Sequence, residues 1–396
     1  MTRYLIRQGL LSLVKLFVFV TIMFFFIQIM MPGDFVDQFS ISCDKECRDG
    51  LRAQLGLDLP IGKRYLNWLR QVATWDLGRS FSGQPIMDTF KEVVPATLSV
   101  FVTGTILAFV IGLSLGKFTA WRGTGFVSRV TTLAGITLFT SFPPWLAWLV
   151  SHFFTQGRSF AVMGEVGGLR RVSLERVISR DLWIDVEISP STILFRMILT
   201  MAVSALIVWI MSILLRRLTR RRIPGILILL LIAASTVGSW YALQMETLAI
   251  DIVRVSWIAI VTYTLLSFGE TMIIMQSSMT EVLKEEYINT AHAKGVPASV
   301  VREKHAARNA LLPVLSRLVI SLPYLITGVV IVESSVGWPG MGSSMWNALY
   351  WQNMPLVMNT LLIVGILSLA ARLFLDVLIA YLDPRIRYDK QRPTVA

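Results

Sequence analysis

Residues 276–312, QSSMTEVLKEEYINTAHAKGVPASVVREKHAARNALL, form a charged stretch set between two apolar runs. The pattern predicts a helix over Met279–Ala293. Glu281, Glu285 and Glu286 lie near its start, where the helix dipole favours acids. Ala291 and Ala293 give a small-residue surface. Gly295 is a helix stop and Pro297 opens a second helix. That second helix carries Arg302, Lys304, His305 and Arg308 and runs to Leu312, and Pro313 leads into the next apolar run. The stretch therefore reads as a helix, a sharp glycine turn, and a second helix leaning back on a greasy surface.

The flanking runs set the class. Of 396 residues, 54% are hydrophobic and 16% charged, where soluble domains carry about 25% charged. Mean hydropathy is +0.63. Such a chain buries its apolar surface only by giving much of it to lipid. A crossing takes about 20 apolar residues, and eight stretches qualify: 9–31, 96–116, 131–154, 193–215, 223–243, 255–275, 313–333 and 356–381. Each is expected as a helix, because lipid offers no partner to free backbone groups. The predicted fold is an all-α integral membrane protein with membrane lipid around it. The first run is too long for a signal-peptide core and lacks a small-residue cleavage site, so it reads as a retained span.

The net charge of +12 reads as topology rather than nucleic-acid binding. Basic residues sit in short segments: Arg3, Arg7 and Lys15; Lys117, Arg122 and Arg129; RRLTRRR at 216–222; Lys284, Lys294, Arg302, Lys304 and Arg308; and Arg385, Arg387, Lys390 and Arg392. The segment 334–355 carries no charge. The positive-inside rule places both termini in the cytoplasm. Cys43 and Cys47 then lie outside, where the readings are a disulfide, free thiols or a metal pair. An oxidising compartment favours the disulfide, and no histidine lies nearby to complete a zinc site.

Other candidates are weaker. Gly112, Gly116 and Lys117 superficially resemble a phosphate loop, but with one residue too few between the glycines and Phe118 where a hydroxyl is needed. They read as a small-xxx-small helix contact. Arg196, Arg317, Glu333, Arg372 and Asp376 fall in or beside spans, where charge is a functional signal by default; Arg372 and Asp376 are one turn apart and read as a pair. His152, His292 and His305 are scattered and build no catalytic constellation. Trp145, Trp148, Trp240, Trp257, Trp346 and Trp351 read as interfacial anchors, with Trp338, Trp346, Tyr350 and Trp351 as an alternative contact for a docked protein or sugar.

The spacing Glu286-Tyr287, Ala291, Ala293-Lys294-Gly295, His305, Arg308-Asn309-Ala310, Pro313 resembles the "EAA" loop of binding-protein-dependent importer permeases, in the version of the oligopeptide/dipeptide/nickel branch. Tyr4–Arg7 with Pro32-Gly33-Asp34, Leu55-Gly56-Leu57-Asp58 with Pro60, Asp76-Leu77-Gly78 with Ser80-Phe81, Pro95-Ala96-Thr97-Leu98, Glu333, Pro339-Gly340-Met341-Gly342 and Asp383-Pro384-Arg385-Ile386-Arg387 resemble the same branch, B-type. The likeness covers about 1–155 and 255–388. It implies six core helices of the type I ABC importer permease fold, on a bacterial inner membrane. It also implies half of a peptide translocation path, with oligosaccharides or nickel complexes as alternative cargo. The implied partners are a second homologous permease, two ATP-binding subunits holding the ATP and Mg, and an extracytoplasmic solute-binding protein. No cofactor is expected on this chain, and it is not itself an enzyme. Its ATPase-coupling residues would be Glu286, Tyr287, Ala291, Ala293, Lys294, Gly295, Val296, Pro297, Val300, Val301, His305, Arg308 and Asn309, with the contact centred on Glu286, Ala291, Gly295 and 296–301.

The chain departs from the pattern at Ile273 and Gln276, where family members often carry arginines, and in an expansion at 156–250 expected to add two accessory spans at the periphery. The resulting divisions are 1–31, the N-terminal end and first span; 32–95, extracytoplasmic; 96–155, spans two and three; 156–250, the expansion; 251–388, the core with loop 276–312; and 389–396, a cytoplasmic tail. A secondary transporter or channel acting alone would instead need ionisable residues near mid-span and broken helices.

Overall fold

A computed structural model describes residues 2–30, 36–37, 44–81, 83–123, 125–154, 189–219 and 225–382. Among them the regular structure is helical, with turns and irregular links between the helices and an isolated bridge between Arg79 and Pro85. The helices are α1 (Thr2–Met30), α2 (Lys45–Gln54), α3 (Ile61–Ala73), α4 (Ile86–Arg122), α5 (Phe126–Thr140), α6 (Pro143–Phe154), α7 (Pro190–Thr219) and α8 (Gly225–Ala242). They continue with α9 (Glu246–Val282), α10 (Glu286–Ala293), α11 (Ala307–Val336), α12 (Met341–Tyr350) and α13 (Met354–Leu382). A short turn, Ala298–Val300, and a π-helical turn, Val301–Ala306, lead into α11.

Five described helices are long and apolar enough to cross a membrane, or six if α5 and α6 count as one crossing. The stretch 131–154, expected as a single span, is broken: α5 and α6 lie 111° apart. Pro143 and Pro144 supply the reason, since a proline pushes the residue before it out of the α region, and Ser141 is already extended at ψ 148. Two other prolines do not act as boundaries. Pro95 lies inside α4, which begins ten residues before the expected start of its span, and Pro313 lies inside α11.

The centre of the bundle is the seam between α4 and α9. A Cβ on Gly112 would stand 2.7 Å from the Phe268 carbonyl oxygen and from Thr271 Cβ, and one on Gly116 would stand 2.7 Å from the Met272 carbonyl oxygen and from Met275 Cβ. Glycines four apart thus let two 37-residue helices touch backbone to side-chain root, which is the small-residue contact expected in place of a phosphate loop. α5 adds to the seam, with Gly269 against the Gly135 carbonyl.

The bundle has two distinct ends. At one, Ala96, Val100, Leu146, Ala147, Ile193, Leu194, Leu248, Val332 and Trp338 share a core. There Trp338 Nε1 donates to the Ala96 carbonyl (3.0 Å), Met341 N–H to Thr97 Oγ1 (2.7 Å) and Gly342 N–H to the buried Glu333 carboxylate (2.8 Å). Asn359 reaches the Leu77 carbonyl at 3.1 Å, and Asn353 donates to Ser80. Hydrogen bonds thus tie 95–98 to 333–342, and 77–81 to Asn353 and Asn359, and the packing of Leu77 with Met341 joins the two groups into one cap. Trp338 is buried within it and is unavailable as a docking surface, whereas Trp346, Tyr350 and Trp351 are exposed.

α7 and α8 form a hairpin, joined by Ser235 to Ser204 and by Trp240 Nε1 to Thr200. Its outward faces are apolar and exposed, including Leu199, Val203, Leu206, Ile207, Leu230 and Leu231. The hairpin packs chiefly against α4, with further contact to α9. Cys47, on α2, is disulfide-bonded. Cys43, residues 155–188 and 383–396, Pro32–Asp34 and Arg220–Arg222 lie outside the described residues, as does the Asp376 side chain.

Candidate functional site

The other end of the bundle carries the 276–312 stretch. The single helix expected over Met279–Ala293 is two. α9 ends at Val282, Glu285 takes an extended conformation (φ −70, ψ 142), and α10 starts at Glu286. α10 ends in a Schellman turn: Val296 N–H bonds to the Ala291 carbonyl (3.1 Å) and Gly295 N–H to the His292 carbonyl (2.9 Å). Gly295 has φ +72, a left-handed conformation that costs a side-chain-bearing residue, and its Cβ direction is open space. Pro297 then caps the next turn.

Small side chains let this hairpin lie flat against the bundle. Ile288, Ala291, Val301, Ala306, Ala307 and Ala310 pack with Ala120 of α4 and with Met275 and Met279 of α9. Two residues expected at the partner contact are thereby used up inside the chain: Ala291 is 8% exposed and Val301 is fully buried. They seat the helix instead of facing outward. Val296, Val300 and His305 are half-buried. The outward face holds Glu286, Tyr287, Ala293, Lys294, Gly295 and Pro297, with Arg308 and Asn309 exposed beside it.

Polar ties fix the hairpin. Asn309 Nδ2 donates to Tyr287 Oη at 2.7 Å, joining α10 to the start of α11. Lys117 on α4 bonds Glu303 at 3.0 Å, Arg302 bonds its other oxygen at 3.1 Å, and the Arg302 guanidinium lies 5.9 Å from the Trp121 ring. Burial pushes the Glu303 carboxyl up, but the hydrogen bond and charge of Lys117, with those of Arg302, outweigh it and hold it below the ordinary value. Lys117 and Trp121 escaped the sequence reading as parts of this site; their only signal is position, at the basic end of a long span. Gln276, one of the departures, accepts from Thr132 on α5 at 3.1 Å.

A second feature lies within the bundle. On α11, Arg317 Nε donates to Glu270 Oε1 of α9 at 3.2 Å, and Ser321 Oγ donates to the same oxygen at 2.7 Å. A small crevice, with room for about one water, lies beside them between α4, α9 and α11. Arg317 is visible in the sequence as a charge in an apolar run; Glu270 interrupts the neighbouring run and was missed. No group of three or more His, Cys, Asp or Glu residues able to hold a metal occurs among the described residues.

Comparison with known proteins identifies the family. The family model described as binding-protein-dependent transport system inner membrane component matches residues 177–388, and that of the corresponding N-terminal region matches residues 1–101. The first match includes α7 and α8. Among similar proteins, a dipeptide transport system permease protein of Alkalihalophilus pseudofirmus is 27% identical over 98% of this chain and all of its own length. An oligopeptide transport system permease protein of Bacillus subtilis is likewise 27% identical over 98% of this chain and its own full length. A di/tripeptide transport system permease protein of Pseudomonas aeruginosa is 26% identical over 97% of this chain and 98% of its own.

Proposed function

The chain belongs to the family of binding-protein-dependent transport system inner membrane components, the membrane-spanning permeases of ABC importers, and we propose that it forms half of a peptide translocation path. ATP is hydrolysed on separate subunits, and the chain binds no cofactor of its own. Its partners are a second homologous permease, two ATP-binding subunits that hold ATP and Mg, and a solute-binding protein that delivers peptide from outside. The peptide cargo follows from the relatives, which are named for dipeptide, oligopeptide and di/tripeptide transport.

One observation carries this reading. α10 is a short helix held rigidly at the end of the bundle, its inner face locked against α4, α9 and α11 and its outer face presented to solvent. The outer face of α10, the left-handed Gly295 and Pro297 form the contact for an ATP-binding subunit, with Arg308 and Asn309 at its edge. Motion of that subunit passes directly into two core helices, because α10 is three residues from the end of α9 and is bonded to the first turn of α11.

The topology follows the same logic. Alternation of ends gives eight passes: α1, α4, the bent α5–α6 pair, α7, α8, α9, α11 and α13, on a type I core of six. Both termini lie in the cytoplasm of a bacterial inner membrane. The disulfide at Cys47 agrees with an oxidising outer side.

The test is purification of the intact chain and a Gly295→Pro variant from detergent extract, with mass spectrometry and an ATPase assay. Proline cannot adopt φ +72 and removes the N–H that bonds His292. The intact chain is expected to bring down a second permease and ATPases, and the variant to keep the permease and lose the ATPases. An intact, folded chain that comes alone and transports without ATP refutes the reading in favour of a secondary transporter.

A further inference from the structure

We propose that Arg317, held by Glu270 and Ser321, is a cargo-contacting subsite that takes the C-terminal carboxylate of a peptide in transit. The proposal rests on the importer reading above and names the part of the cargo this chain touches.

The first argument is the character of the face. On α11, Pro313, Ser316, Arg317 and Ile320 are exposed at helical spacing, and the Arg317 side chain is 55% exposed. They lie in an apolar run, where a guanidinium facing lipid is expensive. The lipid-type surface of this chain looks different: on α7 the exposed positions include Leu199, Val203, Leu206 and Ile207. The α11 face therefore differs from the lipid-type surface, and within this proposal it is the face turned to the translocation path. Thr105, Ser267 and Thr271 lie in the small crevice next to it, among apolar neighbours such as Phe109, Ile274 and Val314.

The second argument is the donor geometry. Glu270 engages Arg317 through Nε alone. The terminal guanidinium N–H groups have no partner among the described residues. A guanidinium fork with free terminal donors matches a carboxylate in two parallel hydrogen bonds. Every linear peptide carries one such carboxylate whatever its side chains, so this contact reads peptides as a class. Glu270 leaves the pair with no net charge, which keeps the hold weak. A transport site must release what it binds.

The test uses the reconstituted importer, this chain with its partner subunits and binding protein, in proteoliposomes. The probes are trialanine and trialanine C-terminal amide. The readout is the ratio of acid to amide transport within one preparation, so yield cancels, and the binding protein's own selectivity cancels between variants. Arg317→Gln is expected to lower that ratio about tenfold, the loss of one charge-assisted contact, and Arg317→Lys to recover part of it. Glu270→Gln, which frees the charge of Arg317, is expected to lower both KM and kcat for the acid. Separately, Arg317→Cys is expected to react with a membrane-impermeant thiol reagent in at least one nucleotide state, above the background of the unaltered chain. Equal loss of acid and amide transport in Arg317→Gln overturns the subsite. So does an Arg317→Cys that is unreactive in every state or cross-links to the second permease. If the unaltered importer carries neither probe, the peptide reading itself falls.

Discussion

Alanine at Gly112 or Gly116 tests how tightly the α4–α9 seam is closed. The added methyl at either position stands 2.7 Å from a backbone carbonyl oxygen, where ordinary contact begins at 3.4 Å, so the helices must separate locally by about 0.7 Å. A carbonyl in mid-helix cannot swing aside as a flexible side chain does. A gap of that size forfeits a quarter to a half of each lost dispersion contact along the seam, and overpacking of this kind costs about 1–3 kcal/mol. Alanine's better helix propensity returns up to about 1 kcal/mol. Each single variant is therefore expected to lose about 1–2 kcal/mol. Opening the seam once relieves both clashes, so Gly112→Ala/Gly116→Ala is expected to lose clearly less than the two singles combined. The control is Gly238→Ala on α8, where nothing lies within 4 Å of the new methyl. The assay is denaturant or thermal unfolding in lipid nanodiscs. Stability of the single variants equal to that of Gly238→Ala refutes the closed seam, and strict additivity refutes a shared one.

At the opposite end, Gly342→Ala places its methyl against the Val330 carbonyl; the cap is expected to fail to close, and the yield of folded protein on size-exclusion chromatography to fall well below that of Ser343→Ala. Tyr287→Phe removes the bond to Asn309 and is expected to speed amide exchange over α10 while costing about 1 kcal/mol or less; unchanged exchange counts against a fixed α10. The lowered Glu303 carboxyl carries a pH signature. A carboxyl lowered on folding adds stability above its unfolded value, near 4.5, and that stability is lost as pH falls through the lowered value. Lys117→Met is expected to be less stable than the unaltered chain at neutral pH, with the two melting curves converging below pH 4.5. A constant difference across that range excludes the Lys117–Glu303 tie as its source.

Much of this was legible in the residues, and the exceptions have physical causes. Gly295 with Pro297 announced the turn after α10, and hydropathy found α1, α4, α7, α9 and α13. The break at 283–285 was not legible, because Leu283-Lys284-Glu285 contains no glycine or proline and would suit a helix. It follows from the need to lay Ile288 and Ala291 onto Met275 and Met279, a tertiary demand. Proline misled in both directions. Pro95 and Pro313 looked like boundaries and lie within helices, whereas Pro143-Pro144 break a run whose hydropathy looked continuous. Ala291 and Val301 looked like contact residues because they lie in the loop, but which loop side chains turn inward is set by α4 and α9. The pairing of Arg317 with Glu270 depends on which faces α9 and α11 share, and no local pattern encodes that.

α9 runs unbroken for 37 residues, from beside the cap to within three residues of α10, a length of about 55 Å at 1.5 Å per residue. Clamped about seven-tenths of the way along by the glycine seam, it behaves as a beam on an off-centre pivot. A tilt of about 10° about that pivot carries the end beside the cap by about 7 Å and the end beside α10 by about 3 Å in the opposite direction. Such a beam narrows one mouth of a passage as it widens the other, with no residue in between unwinding. The glycines that fix the pivot thereby set the gearing between a push on the surface helix and the opening at the far side.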